Sequence, residues 1–436
     1  MVKPLSVSKS HLNLSSYAGS QTLLELMDHC GVSAGASRVR VKRIKSGIPD
    51  ADYIRLSLLL IATGHTDFES VREVRDESTL KHLLGIKRLP HANTLREYMG
   101  RLDDAAIMHL KRLLNVPLAS ATPLPDPIGM IPVDYDASVF VQHGMKKEQA
   151  EYAYNGEFGY QPLFGFIGRQ GYCMDVSLRA GNHNGVVGTA DELEKAFDRL
   201  PEAVAEQPLL FRFDAGFYSH DIVETIHALK KDFLIKAKLT APLKRAIDAL
   251  PEQAWTPDPS AGVDTAHAEF RYQPSGWKRE ERFVVRREIH YGDGLFPETR
   301  YFAFVTSLER EAGEVDACYR RRGQAENFIK EMQYDLGLEC LPSGKFATNK
   351  AFLHLGALAY NLLVLLGELS QRDDKPKRNK IGRRTLGTIR RQYLIVAGYI
   401  RCHARTAQLM LSRSYTLFDE YMRLLQRIRS INSTTG

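Results

Sequence analysis

Five residues between Tyr319 and Gln333 could share one face of a helix. Tyr319, Arg322, Glu326, Lys330 and Gln333 are spaced +3, +4, +4 and +3, so at roughly 100° per residue their side chains fall within one narrow stripe. Cys318, Ala325, Phe328, Ile329 and Met332 cover the adjoining surface and can pack against a core. A single carboxylate among a phenol, a guanidinium and an ammonium suits a polyanion held near a metal ion. Such a site needs further carboxylates to complete it. The same spacing also describes a solvated helix face laced with i,i+4 ion pairs.

Two stretches offer the missing acids. Asp134 and Asp136 interrupt the β-prone run Pro132–Phe140, and on an extended strand both point to one face. Carboxylates carried into an interior are costly without partners, so they mark either a metal or base site or the polar side of a half-buried strand. The apolar run Leu209–Phe213 ends at Asp214, and Ala215-Gly216 allows a tight turn into a helix beginning near Ser219. Functional groups in open α/β sheets gather just past the carboxyl ends of strands, although Asp is also an ordinary helix cap. A mid-strand Asp, a strand-end Asp and a helical Glu together are what two divalent cations need beside phosphate oxygens.

The elements that would hold these residues can be read along the chain. Its 436 residues, 44% hydrophobic and 25% charged, have ordinary globular composition. Residues 1–125 have helical apolar spacing, and the helix, short turn, helix over Leu80–Leu102 suits either groove docking on DNA or two packed helices. The tract Arg38, Arg40, Lys42, Arg43, Lys45 alternates with apolar residues, as a solvated edge or a phosphate-contacting arm would. A Pro-rich stretch, Pro117–Pro132, marks the boundary to a mixed α/β region, 126–238, with strands at Ile131–Val141, Pro162–Gly168, Tyr172–Ala180, Leu209–Phe213 and Phe233–Lys238. Residues 239–308 read as a β-rich insertion with strands at Arg282–His290 and Arg300–Leu308 and a Gly-Asp-Gly turn at Gly292–Gly294. Residues 309–372 carry the Glu326 helix, and 373–436 read as a basic helical region.

At residue level, Tyr319-Arg320-Arg321-Arg322-Gly323-Gln324-Ala325-Glu326-Asn327-Phe328-Ile329-Lys330-Glu331 resembles the Tyr–Arg–Glu–Lys signature of DDE transposases from bacterial insertion sequences, and in particular their transposase DDE domain group 1. Asp136-Ala137-Ser138, Arg212–Phe217 and Asn349–Leu363 resemble other motifs of that family. The resemblance implies a ribonuclease-H-like core with Asp136, Asp214 and Glu326 as catalytic metal ligands and Asp134 as a rival for the first position. It implies two Mg²⁺ ions per site, with Mn²⁺ as a substitute, and cut-and-paste cleavage and strand transfer at transposon ends. Tyr319, Arg322 and Lys330 would contact the DNA backbone. Gln333 stands where relatives often carry a second lysine, and its amide can still donate to a phosphate. Trp277, between Gly276 and Lys278, is a candidate for stacking a flipped base or for packing against a strand.

A net charge of +7 is modest support for an acidic partner. Its distribution says more: Lys375 to Phe418 contains no Asp or Glu but many basic residues, including Arg383, Arg384, Arg390 and Arg391, which suits phosphate contacts. The expected partners are double-stranded DNA, as terminal inverted repeats and target, and a second copy of the chain at synapsis. A metal-dependent nuclease with the same core, or a DNA-binding regulator with silent acids, would share most of these features. Five scattered cysteines without a C-x-x-C pair and an N-terminus without a signal pattern suit a reducing cytoplasm, which the resemblance implies is bacterial. The apolar run Ala351–Leu369, interrupted by His354, Asn361 and Glu368, reads as a buried helix.

Overall fold

The computed structural model describes residues 5–41, 47–259, 264–291, 297–371, 383–403 and 406–431. It divides into two units, one of Met1–Thr122, Val141–Ala150 and Lys330–Gly436, the other of Pro123–Phe140 and Glu151–Ile329.

The first unit is built round the helix Phe346–Ser370. This helix is long and apolar enough to cross a membrane, yet 94% of its most apolar window is buried. Helices Gln21–His29, Asp50–Thr63, Ala92–Gly100, Asp104–Leu114 and Phe418–Arg429 pack on it. Its interior amide is satisfied, since Asn361 Nδ2 donates to the Leu114 carbonyl at 2.8 Å. The C-terminal part is not helical throughout. Gly398–His403 and Thr406–Leu411 form an antiparallel hairpin, closely packed at Gly398, where a Cβ would lie 2.5 Å from the Met410 carbonyl and 2.7 Å from Ala18 Cβ.

The second unit carries a nine-stranded sheet. Its strands in chain order are β1 (Ile131–Ala137), β2 (Leu163–Ile167), β3 (Tyr172–Ser177), β4 (Leu209–Phe213), β5 (Asp232–Lys236), β6 (Thr256–Pro257), β7 (Thr265–Tyr272), β8 (Glu281–His290) and β9 (Glu298–Thr306). The spatial order is β3-β2-β1-β4-β5-β9-β8-β7-β6. β1 runs antiparallel to β2 and parallel to β4, and β4 parallel to β5, the arrangement of a ribonuclease-H-like core. The segment read as an insertion does not make a separate layer: β9 pairs antiparallel with β5, and β8, β7 and β6 continue the same sheet. β7 was not read from the sequence, although Ala266, Ala268, Phe270 and Tyr272 alternate with polar residues along it. The Gly292–Gly294 turn lies outside the described residues.

One face of the sheet takes the helices Thr189–Phe197 and His220–Ala228, which bury Leu193, Ala196, Ile222, Val223 and Ile226. On the other face, Leu210, Leu234, Val284 and Phe304 form a core cluster with Val315 and Cys318 of the helix Ala312–Arg320. That cluster joins core strands, added strands and the helix leading to Tyr319.

The single helix expected over Tyr319–Gln333 is instead a series. Ala312–Arg320 is followed by a 3-10 turn at Arg321–Gly323, the helix Gln324–Lys330 and a π turn at Glu331–Asp335. A 3-10 turn advances about 120° per residue, so the five residues do not keep one stripe. Arg322 and Gln333 are buried, Tyr319 is half-buried, and Glu326 and Lys330 are exposed.

A candidate active site at the carboxyl ends of two parallel strands

Pairing of β1 with β4 sets Asp134 opposite Arg212. Two residues further along each chain come Asp136 and Asp214, which therefore sit side by side where the parallel strands end. Each is half-buried. Asp214 also caps the short turn Ala215–Phe217, its Oδ1 accepting from the Gly216 amide at 2.8 Å. A Cβ on Gly216 would come within 2.9 Å of that oxygen, so glycine permits the close approach.

Asp136 Oδ1 accepts from its neighbour's amide, Ala137 N, at 3.0 Å and lies 3.2 Å from Arg322 Nη2. The same Arg322 nitrogen donates to the Tyr135 carbonyl at 2.8 Å. Burial pushes the Asp136 carboxyl up to about 6, with the negative charge of Asp214 adding to the rise and Arg322 opposing it. Burial works against the charge of Arg322, but Asp136, Tyr319 and Asp214 around it raise its pKa above the usual guanidinium value. Tyr319 packs on Phe304 with ring centroids 4.7 Å apart, and burial pushes its phenol up to about 12. It is a neutral hydrogen-bond donor at physiological pH.

Glu326 follows Arg322 by four residues on a helix anchored by Ala325, Phe328 and Ile329, all buried. Phe328 meets Phe166 at 5.4 Å and fills the space over Gly171, where a Cβ would lie 2.4 Å from the ring. The carboxylate of Glu326 itself is exposed. Among the described residues, no three His, Cys, Asp or Glu side chains lie close enough to hold a metal ion. The structure thus gathers Asp136, Asp214, Arg322 and Tyr319, and leaves Glu326 outside that group.

The rival first acid has a different environment. Asp134 is buried and held by Arg212 through two parallel bonds, Nε to Oδ1 at 2.7 Å and Nη2 to Oδ2 at 2.8 Å. Each of its oxygens accepts from the Arg212 guanidinium, so Asp134 is an ion-pair partner in this structure. Sequence reading quoted Arg212 without giving it a role. The available signal was a charge inside the otherwise apolar run Leu209–Phe213. Arg212 Nη1 also donates to Asp126 Oδ2 at 3.0 Å and to the Cys318 carbonyl at 2.9 Å.

Trp277 lies in the turn between β7 and β8, half-buried, with its ring 5.3 Å from that of Tyr218 and 5.6 Å from that of His220. Tyr218 and His220 belong to the segment that follows Asp214, so the tryptophan is tied to the loop leaving the site. Its neighbours Lys278 and Arg279 pair with Glu224 at 3.2 and 2.7 Å.

The other expected DNA contacts belong to the first unit. Lys330 and Arg391 are exposed, whereas Gln333 is buried in the π turn. Arg390 donates to the carbonyls of Ala62, at 2.8 Å, and Asp335, which makes it a cap for the helix Asp50–Thr63 rather than a solvent-facing cation. Arg383 is buried against Glu331 at 2.7 Å, and Arg384 pairs with Glu420 at 2.7 Å. Lys375, Lys377, Arg378 and Lys380, like Lys42, Arg43 and Lys45, lie outside the described residues.

The solved structures include a similar chain, from a cryo-EM structure of the piggyBac transposase synaptic complex with hairpin DNA. It is 13% identical, with 97% of this chain and 86% of that chain covered at a TM-score of 0.46. No curated protein sequence matches. The family described as transposase DDE domain group 1 matches residues 2–433. With nearly its whole length matched, and with Asp136 and Asp214 paired at the strand ends, the chain belongs to the DDE transposases of that group.

Proposed function

We propose that this transposase cleaves the ends of an insertion sequence and joins them to target DNA, using Mg²⁺, or Mn²⁺ in its place, held by Asp136, Asp214 and Glu326. The observation that carries the reading is the pairing of Asp136 with Asp214 beside the buried Arg322, in a chain of DDE family membership. The donor set fits a hard divalent cation, which takes carboxylate oxygens. A carboxyl pushed up to about 6 by burial and a neighbouring acid is one whose charge a cation would stabilise. Two bound ions would stabilise charge on the attacking and leaving oxygens of a phosphoryl transfer.

The chain's own residues do the positioning. Strand ends fix Asp136 and Asp214. Arg322, already braced on the Tyr135 carbonyl, turns its remaining N–H groups to a DNA phosphate, and Tyr319 donates its phenolic proton to another phosphate oxygen. Glu326 joins the two aspartates when DNA is present, carried by the helix that Phe328 anchors. Lys330 and Arg391 contact the backbone of the ends, Trp277 stacks on an unpaired base, and two copies of the chain hold the paired ends.

The test is incubation of the purified chain with Mg²⁺ and the inverted repeats that flank its gene. Cleavage at those ends, followed by joined products with a target plasmid, is expected. Non-specific nicking would identify a nuclease with this core, and mobility shifts without cleavage a DNA-binding regulator.

A further inference from the structure

We propose that Arg212 and the buried ionic network it centres are the positioning device of this site, setting the helix that carries Tyr319 and the turn that carries Arg322 against the two aspartate-bearing strands. The inference rests on the reading that Asp136 and Asp214 hold a divalent cation. Three of its four members lie within two residues of a site residue in the chain. Arg212 precedes Asp214 by two residues on β4, and its partner Asp134 precedes Asp136 by two on β1. Arg212 also donates to the carbonyl of Cys318, next to Tyr319. The fourth member, Asp126, receives Arg212 Nη1 through Oδ2 and lies 2.6 Å through Oδ1 from Nε of Arg321, the residue before Arg322.

Arg212, Asp134 and Asp126 are 2%, 4% and 5% exposed. A buried ionic cluster adds little stability over apolar packing, and the same sheet face shows the apolar alternative at Leu210 and Leu234. The forked, charge-assisted bonds contribute direction instead. A bidentate guanidinium–carboxylate pair fixes a plane as well as a distance, whereas packed leucines tolerate sliding. The network therefore sits one layer beneath the site and transmits the geometry of two strands to the helix.

In the full chain, Arg212→Lys keeps the charge and removes the fork, and Arg321→Gln cuts the half-exposed rim of the network. Mn²⁺ affinity without DNA, by titration calorimetry, and kcat of end cleavage should each fall about 10–100-fold while KM for DNA stays within about twofold. A change in packing alone would leave Mn²⁺ affinity untouched. Either variant, folded by thermal melt and retaining the parent's Mn²⁺ affinity and kcat, overturns the proposal, as does a parent chain that binds no Mn²⁺. Should Arg212→Lys melt below the assay temperature, Arg321→Gln decides. Because Mn²⁺ binding is read without DNA, a chain that binds the ion normally yet never cleaves DNA counts against the transposition reading and leaves this test intact.

Discussion

Arg322 Nη2 stands 3.2 Å from Asp136 Oδ1 while donating to the carbonyl of Tyr135, the residue between the two strand aspartates. In this state a guanidinium supplies the positive charge that the paired acids Asp136 and Asp214 require. A metal ion at the same acids would share that role, and the two cations would then compete for Asp136.

Removing Arg322 should expose that competition. In Arg322→Gln, Asp136 keeps its burial and its acidic neighbour but loses its counter-charge, so the metal-free protein should lose about 3 kcal/mol or more at neutral pH. Mg²⁺ should restore a larger share of stability in the variant than in the parent, read as a greater rise in melting temperature at saturating metal. An equal Mg²⁺-induced shift in both proteins would show that Arg322 and the cation do not compete for Asp136.

The Asp136 carboxyl itself predicts a pH dependence. Its folded pKa of about 6 exceeds the unfolded value of about 3.9, so the folded chain binds the proton more tightly. The stabilising contribution is present in full below about pH 4 and is lost as pH rises through 6. Asp136→Asn should therefore stabilise the metal-free protein by about 1–3 kcal/mol at pH 8 and have little effect at pH 4. The same substitution should abolish cleavage. Denaturant melts at the two pH values check the first part, and an Asn variant less stable than the parent at pH 8 would contradict it.

Glu326 gives the complementary case. Its side chain is exposed, so Glu326→Gln should change stability by no more than about 0.5 kcal/mol. Cleavage of transposon ends should fall about a thousandfold or more, with DNA affinity retained in a mobility-shift titration. Cleavage at the parental rate would remove Glu326 from the catalytic set.

Strand-level features were readable because they rest on local pattern. The continuous apolar run Leu209–Phe213 stopping at Asp214 and the acids at i and i+2 on β1 are both local patterns, and the structure pairs those strands as neighbours. The choice between Asp134 and Asp136 was not readable. It depends on Arg212, 78 residues away from Asp134 in the chain, and no local period encodes that pairing. The pairing of Arg383 inside the basic stretch was hidden for the same reason. Arg383 finds its carboxylate at Glu331, 52 residues earlier, so a run free of nearby acids resembled an exposed surface. The 3-10 turn at Arg321–Gly323 lies inside a stretch with helical spacing, where Gly323 was the one local sign of a break. It rotates Arg322 inward and leaves Glu326 outward.

One of the contacts that seat the helix bearing Glu326 is made possible by glycine. Gly171 has φ +73°, and a Cβ there would lie 2.4–2.5 Å from three atoms of the Phe328 ring. Gly171→Ala meets both a left-handed backbone and an occupied space, and should cost about 2–4 kcal/mol. Phe328→Leu in the same chain removes the clash but not the backbone strain, so the double variant should recover only part of the loss. The two effects should be non-additive because the residues touch. Cleavage should suffer more than DNA binding, since displaced Phe328 carries Glu326 with it. A thermodynamic cycle by denaturant melts would expose strictly additive losses, which would mean that Gly171 does not seat this helix.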